Sequence, residues 1–346
     1  MKITQLMTTI IYIDLQLFAE EVINTTASEG LSPEMKTYYD KSLIIEAQAK
    51  LVHAQFGQKR PIPKNGGKQS EFRRFASLPK ATEPLTEGVT PPGKELGVSK
   101  VTAELSQYGD YVKLSDVVQL TAIDPILDET VVLVGQQGGL TLDTVVRNVL
   151  NSGTNVFYAP KVAADGTVTE ITDRADLTED CQLTCDVVDQ VVANLRAQNA
   201  PTIDGYYVSI IHPYAAYDLK KDPAWRKPHE YCDPEYIYKG EIGEYGGVRF
   251  VDTSEAKIFS GEGCPEGLGV FSTLFMGANA YGVTEIEGGN MQTIVKQLGS
   301  GGTSDPLNQR GTAGWKAMLT AEILIVNYLT RVESCSKAYS HKVSEN

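Results

Sequence analysis

The longest helical pattern of this 346-residue chain lies at residues 124–153, which read DPILDETVVLVGQQGGLTLDTVVRNVLNSG. Apolar or small residues recur there every three or four positions, which is the period of an amphipathic helix. They are Leu127, Val131, Val134, Gly138, Leu142, Val145 and Val149. Asp124 can cap the helix, and Pro125 suits its first position. We therefore predict a helix over residues 125–151, about 40 Å long at 1.5 Å per residue.

Two adjacent glycines, Gly138 and Gly139, interrupt the middle of this helix. Each costs about 1 kcal/mol of helix stability relative to alanine. Glycine also lets a second backbone approach closely, because it has no side chain. We therefore expect tertiary packing to hold the helix, with another backbone close to its centre.

The segment before the helix, residues 58–100, is rich in proline and glycine and is flanked by two strand-like stretches. The stretches are Ser70–Leu78 and Ser99–Leu114. A connection this long is unusual inside a compact domain. We predict a long two-stranded hairpin with an irregular tip, which projects and packs on another subunit.

The predicted hairpin has an uneven charge distribution. Its first arm is basic, and carboxylates follow around the tip. The basic residues are Lys59, Arg60, Lys64, Lys68, Arg73, Arg74 and Lys80, and the acidic ones at the tip are Glu83, Glu87 and Glu95. This pattern is equally consistent with a charged face in solvent and with an arm that packs on an acidic neighbouring subunit. In the second case, opposite charges would set the register of the contact.

Beyond the helix, the pattern alternates between short helices and strands, which indicates an α+β protein. We predict a surface hairpin or loop at 154–180, helices at 184–195 and 213–219, and strands at 206–211, 248–251, 269–275, 293–298 and 315–325. The block 182–298 is then enclosed between two segments that would pair with each other.

Composition and charge limit the function. Proteins that bind nucleic acid normally carry a basic surface, so the net charge of −13 argues against nucleic-acid binding as the main function. The five cysteines, at widely spaced positions, are expected to be reduced thiols. They are Cys181, Cys185, Cys232, Cys264 and Cys335. The apolar run Met7–Ile13 is too short to span a membrane, and no other stretch approaches that length.

Known chemical motifs fail at specific positions. His229-Glu230 begins like a zinc-protease motif, but Asp233 stands where the second histidine belongs. The glycines at 299–302 lack the lysine of a phosphate-binding loop. His212, before Pro213, is better explained as a helix-start residue than as a base. We therefore predict no catalytic, cofactor or metal site and no enzyme activity.

Several short segments, in order over nearly the whole chain, resemble the major capsid proteins of tailed phages, in the branch typified by the coliphage N-four coat protein. The segments are LQLFA at 15–19, KLSD at 113–116, IIHP at 210–213 with DL at 218–219 and DP at 222–223, GEIG at 240–243, GGVRF at 246–250, DPL at 305–307 and GWKA at 314–317.

The resemblance implies the capsid fold named after phage Hong Kong 97. Carried over to this chain, it divides the sequence into six parts. These are an N-terminal arm at 1–31, a helix of the peripheral region at 32–57, an E-loop hairpin at 58–112, a peripheral domain at 113–181 with its spine helix at 125–151, an axial domain at 182–298, and a return to the peripheral domain with a C-terminal tail at 299–346.

The resemblance also implies a function. Copies would form pentamers and hexamers that close an icosahedral shell around double-stranded DNA, in the host cytoplasm and without a membrane. Scaffold, portal and decoration proteins are expected partners. We expect subunit contacts at Lys68, Arg73 and Arg74 of the E-loop. Contacts around the symmetry axis are expected at Glu255, Lys257, Glu262 and Glu266.

Two other functions stay open from the sequence. A related shell could enclose an enzyme, as encapsulin nanocompartments do. A soluble hydrolase with an Asp/Glu pair would instead be a compact monomer with a deep pocket and perturbed carboxylates.

Overall fold

The structure, a computed structural model, describes residues 51–346 together with Leu43 and Ala47, with several gaps. The gaps are residues 64–66, 76–77, 86, 91–92, 122–124, 164–165, 226–240, 286–290 and 301–304. The predicted N-terminal arm, most of the predicted helix 32–57, the cap Asp124 and the His229 segment lie outside the described residues.

The described part of the chain mixes helices and strands, as the α+β prediction requires. The helices with described bounds are α1 (Asp116–Thr121), α2 (Ile126–Asn151), α3 (Cys185–Ala197) and α4 (Pro213–Lys221). The strands are β1 (Gln58–Lys59), β2 (Gln69–Phe75), β3 (Val98–Glu104), β4 (Ser106–Ser115), β5 (Val156–Tyr158), β6 (Lys161–Val162), β7 (Val168–Thr169), β8 (Tyr207–Ile211), β9 (Glu241–Tyr245), β10 (Val248–Asp252), β11 (Ile258–Phe259), β12 (Val270–Met276), β13 (Tyr281–Glu285), β14 (Gln292–Lys296), β15 (Arg310–Ile323) and β16 (Leu329–Ser334).

The first sheet is organised around β15, the longest strand. β15 pairs antiparallel with β4, β13 and β14, and β1 adds to β13 in parallel. Alternate residues of β15 are buried against α2, among them Ala313, Trp315 and Ala317. The indole Nε1 of Trp315 donates to Gln137 of α2 at 3.4 Å. The predicted pairing of the segments that enclose block 182–298 is confirmed by the β4–β15 ladder.

Helix α2 is confirmed where it was predicted. Of its two predicted glycines, Gly139 faces another backbone, whereas Gly138 faces the side chains of Met291 and Trp315. A Cβ on Gly139 would lie 2.5 Å from the carbonyl oxygen of Ala47. A Cβ on Gly135 would lie 3.0 Å from the carbonyl oxygen of Leu43. Leu43 and Ala47 are themselves helical and buried. Two helix backbones therefore pack in direct contact at the centre of α2.

The buried face of α2 differs from the prediction towards its C-terminus. Val146 and Leu150 are fully buried, whereas Val145 and Val149 are only partly buried. The carboxylate of Asp143 is also buried, and it faces the same side of the helix. A pattern of apolar residues alone does not take a buried acidic residue into account. The predicted buried positions near the C-terminus of α2 therefore precede the observed ones by one residue.

The segment Leu51–Gly57, predicted as helix, has turns and bends instead. The carboxylate of Asp143 accepts hydrogen bonds from the amides of Val52 and His53, at 2.8 and 2.7 Å. It also meets His53 Nδ1 at 2.7 Å. These amides are therefore bonded to a side chain instead of to a preceding helical turn, which ends the helix earlier than predicted.

The second sheet has the order β5–β16–β12–β8–β10–β9, with β11 beside β12. Helices α3 and α4 pack on it through a core that includes Val187, Leu195 and Leu219. Thr184 caps α3, as predicted. The sheet does not coincide with the block 182–298, because β13 and β14 pair with β15 while β5 and β16 join from outside the block. Which strands belong to this sheet is therefore decided by pairing between segments that are far apart in sequence.

Strands β2 and β3 form a separate antiparallel ribbon of seven residue pairs, from Gln69 with Glu104 to Phe75 with Val98. The second predicted arm, Ser99–Leu114, does not stay in the ribbon. At Leu105 the chain enters β4, which joins β15 in the first sheet. Residues 106–112 of the predicted E-loop therefore lie in a strand of the first sheet.

Candidate assembly surfaces

The root of the β2–β3 hairpin is anchored on the first sheet. The Phe72 ring is 5% exposed and packs so closely on Gly282 of β13 that a Cβ there would lie 2.5 Å from the ring. The guanidinium of Arg60 lies 5.9 Å from the centre of the same ring. Phe72 therefore anchors the base of the hairpin on the first sheet.

The three predicted E-loop contact residues lie on this hairpin with exposed side chains. Arg73 forms an ion pair with Glu71 at 3.5 Å, and Lys100 approaches the same carboxylate at 3.2 Å. The hydrogen bond from Lys100, more than Arg73, holds the pKa of Glu71 below its usual value. Lys68 and Arg74 form no ion pair with any described residue. The arm thus keeps unneutralised positive charge.

Beyond Phe72 the hairpin exposes large apolar side chains on both arms and at its tip. Leu85 is 77% exposed. The others are Phe75, Leu78, Val89, Leu96 and Val98. A monomer rarely exposes so many large apolar side chains in one segment, so this region has the character of a protein–protein contact surface.

The four predicted axis-loop residues differ in their surroundings. Glu262 and Glu266 are exposed in turns between β11 and β12. The Nζ of Lys257 is instead bound within the chain, at 2.9 Å from Glu345 and 2.6 Å from the backbone oxygen of Asn346. The backbone oxygen of Glu255 accepts a hydrogen bond from Arg147. Glu262 and Glu266 thus have exposed carboxylates, whereas Lys257 and Glu255 are hydrogen-bonded to other parts of the chain.

A buried ionic cluster that no sequence motif indicated lies beside this loop. Glu333 is fully buried, and Arg174 binds it through two hydrogen bonds of 2.6 Å each. Arg331 approaches the same carboxylate at 2.9 Å. Arg174 also stacks on Phe259, 3.8 Å from the ring centre. These residues are far apart in sequence, and no motif joins them.

The surroundings of His212 and of the buried cysteines indicate structural roles for these side chains. His212 Nδ1 accepts the amide of Tyr214 at the start of α4, and burial lowers the pKa of His212 to about 4. Its predicted role as a helix-start residue is confirmed. Burial raises the pKa of Cys335 to about 12, and the Cys185 thiol is affected in the same way. Such thiols are poor nucleophiles.

Among the described residues, no group of His, Cys, Asp and Glu is placed to hold a metal ion. None of the described helices is long and apolar enough to cross a membrane.

The family described as phage capsid protein matches residues 124–298, about half of the chain, from α2 through β14. This chain belongs to the phage capsid protein family. No curated protein sequence matches it.

Solved structures share the fold of this phage capsid protein. The capsid protein of Ralstonia phage GP4 is 14% identical, with a TM-score of 0.64 over 92% of this chain and 97% of that one. The capsid of cyanophage P-SCSP1u gives 13% identity and a TM-score of 0.59 over 81% and 87%. The encapsulin SrpI of Synechococcus elongatus gives 9% identity and a TM-score of 0.51 over 95% and 98%.

These likenesses show that the phage capsid protein has the fold of tailed-phage capsids, as the resemblance in the sequence implied. The branch typified by coliphage N-four stays a prediction. The encapsulin shares the fold, and the family match supports a viral shell over a nanocompartment. The subunit contacts expected at individual residues stay predictions.

Proposed function

We propose that this major capsid protein assembles through pentamers and hexamers into an icosahedral shell that encloses double-stranded DNA, acting as a building block and not as an enzyme. Assembly would take place in the host cytoplasm. Scaffold, portal and decoration proteins would act alongside it. The six-part division from the N-terminal arm to the C-terminal tail serves as the working map of the subunit.

The observation that carries this proposal is the β2–β3 hairpin. Its root is anchored through Phe72, while its outer part exposes several large apolar side chains. Covering each of these removes apolar surface from water and contributes about 25 cal/mol per Å². A sister subunit can supply that cover in a symmetric assembly, and every copy then gives and receives the same contact.

Charge on the hairpin would set the register of this contact. Arg73 and Arg74 are neighbours in β2, so their side chains leave opposite faces of the ribbon. Each can then meet a carboxylate on a different part of the neighbouring subunit. Such rim charges affect the rate and specificity of association more than its strength.

The test is the double variant Arg73→Glu, Arg74→Glu. We expect it to remain folded and to form no particles, whereas the matched control Arg73→Lys, Arg74→Lys assembles. Circular dichroism and thermal denaturation check folding, and negative-stain electron microscopy with sedimentation checks assembly. Normal particles from the charge-reversed variant would show that these arginines do not contribute to the contact.

The contents of particles purified from infected cells distinguish the proposed viral shell from a nanocompartment. We expect nuclease-resistant double-stranded DNA inside them. Particles that contain a single enzyme and no DNA would favour the compartment.

A further inference from the structure

The loop between β11 and β12, residues 260–269, is weakly held by its own strands. It carries Glu262 and Glu266, the two exposed carboxylates expected at a symmetry axis. β11 pairs with β12 at two positions, which is too short a ladder to fix a loop by itself. Contacts from another segment can therefore decide where the loop lies. Residues 339–346, which we call the strap, supply such contacts.

The strap binds the first stem of the β11–β12 loop through its last two residues. Asn346 Oδ1 accepts the amide of Ile258 at 3.0 Å, and Asn346 Nδ2 donates to the carbonyl oxygen of Ala256 at 3.0 Å. The amide of Glu345 donates to Ser260 Oγ at 2.9 Å. The carboxamide of Asn346 thus offers one acceptor and one donor to the backbone around β11, as a neighbouring strand would.

Earlier residues of the strap bind the second stem of the loop. The amide of Gly269 donates to the carbonyl oxygen of Ser340 at 2.8 Å. Val343 packs so closely on Gly269 that a Cβ there would lie 2.4 Å from its Cγ2. Any larger residue at position 269 would therefore displace Val343. The strap crosses both stems of the loop and closes its base.

A buried arginine of α2 joins the strap to the rest of the subunit. Arg147 is 2% exposed, and it donates to the carbonyl oxygen of Glu255 at 2.8 Å and to the backbone oxygen of Asn346 at 3.1 Å. Lys257 Nζ donates to the same oxygen of Asn346 at 2.6 Å. A buried cation is costly unless its donors find acceptors. Arg147 therefore connects three segments, which are α2, the first stem of the loop and the end of the strap.

Two exposed ion pairs hold the C-terminal residues on a different part of the subunit. Lys337 Nζ lies 3.5 Å from a carboxylate oxygen of Asp180, and His341 Nε2 lies 3.2 Å from one of Glu179. Exposed pairs of this kind contribute little to stability. Neither pair touches the β11–β12 loop, so they provide a matched control for the contacts that do.

We propose that the strap fixes the β11–β12 loop in the position from which it contacts neighbouring copies, with Arg147 as the positioning residue that holds the end of the strap. This inference rests on the proposed function, in which copies meet around symmetry axes. A loop that is already fixed in the free subunit loses less conformational entropy when the contact forms. Every copy then presents Glu262 and Glu266 in one geometry, which a closed symmetric ring requires.

The test variant ends at Lys342 and therefore lacks the part of the strap that binds the first stem. The matched control is Lys337→Gln, His341→Gln, which removes only the exposed ion pairs. Hydrogen–deuterium exchange with mass spectrometry, on the unassembled chains, follows the amides of residues 256–270. We expect these amides to exchange at least about tenfold faster in the test variant, because the Ile258 amide loses its acceptor. The control should exchange as the wild-type chain does.

Two single substitutions sharpen this test. Asn346→Ala, at an exposed position, removes the bonds to Ile258 and Ala256 without touching the core, and we expect about threefold faster exchange in the loop. Arg147→Lys keeps the buried charge but loses the planar fork that reaches two oxygens at once. We expect it to speed exchange in the loop and to leave α2 unchanged, whereas a merely structural role would speed exchange in α2 itself.

The pattern of exchange can also refute the inference. Unchanged exchange of residues 256–270 in the test variant would show that the strap does not hold the loop. Faster exchange throughout the second sheet would show that the strap supports the whole sheet instead of positioning one loop. Equal changes in the test variant and the control would assign the effect to the exposed ion pairs. Each of these results overturns the inference.

Particle formation, followed by negative-stain electron microscopy, distinguishes this inference from the proposed function. We expect particles from the wild-type chain and the control, and a yield lower by at least about fivefold from the test variant. Normal particles from a test variant whose loop exchanges faster would refute the inference and leave the shell function standing. If the wild-type chain forms no particles, the shell function fails, and exchange in the loop still tests the strap by itself.

Discussion

The core around α2 and the β2–β3 hairpin use their residues in opposite ways. In the core, apolar groups, glycines and even charged groups are matched by contacts within the chain, such as Gly139 with the backbone of Ala47. In the hairpin beyond Phe72, apolar side chains and Arg74 meet no such partner among the described residues. The core is therefore complete within one subunit, whereas the outer part of the hairpin leaves its apolar side chains exposed.

This contrast predicts that equivalent changes destabilise the core and leave the folded hairpin region unaffected.

Removing a charge from an ion pair should matter only where the pair is buried. Glu333→Gln leaves Arg174 and Arg331 without their shared counter-charge, at a cost of about 3 kcal/mol. Glu71→Gln disrupts the exposed pairs of Glu71 with Arg73 and Lys100 and should leave the melting temperature unchanged. Urea unfolding of both variants measures the difference, and equal losses would contradict the contrast.

Adding a methyl group should matter only where a backbone is close. Gly139→Ala forces its Cβ against Ala47 and should lower the free energy of unfolding by about 2 kcal/mol, although alanine favours helix more than glycine does. Gly93→Ala in the hairpin tip meets nothing within 4 Å and should be neutral. Thermal and urea denaturation check both. A neutral Gly139→Ala would show that the helix contact is loose.

Acid should weaken the core through His212. Burial lowers the pKa of this imidazole to about 4 in the folded chain, whereas its ordinary value is 6.5. The unfolded chain therefore binds the proton first as pH falls, and stability decreases from about pH 6.5 downwards. Between about pH 7.5 and about pH 5.5 the loss from this group is about 1 kcal/mol.

The variant His212→Asn isolates this effect, because asparagine can still cap α4. We expect its free energy of unfolding to fall less over the same pH range than that of the wild-type chain. Urea unfolding at the two pH values provides the measurement. An identical pH dependence in both proteins would mean that His212 is not the group that titrates.

Local signals were enough to predict much of this structure. The period of apolar residues located α2 within one residue at its start, and Gly139 indicated a close backbone. Thr184 and His212 correctly marked the starts of α3 and α4. Each of these signals depends on residues within one or two turns of each other, so the sequence alone carries it.

Long-range contacts explain the predictions that were wrong. The helix ending near Gly57 stops early, because the amides of Val52 and His53 bond to Asp143, about ninety residues away. The second hairpin arm leaves the ribbon at Leu105 because β15 offers a longer partner. No periodicity or motif near these residues indicates partners so distant in sequence.

The sequence by itself determined the α+β class, the long glycine-containing helix and the existence of a long proline- and glycine-rich hairpin. Periodicity, caps and turn residues act over a few positions, so they can be read along the chain. The tertiary structure decided which strands share a sheet and where Asp143 and Glu333 are buried. These features depend on residues far apart in sequence, whose contacts form only when the whole subunit packs.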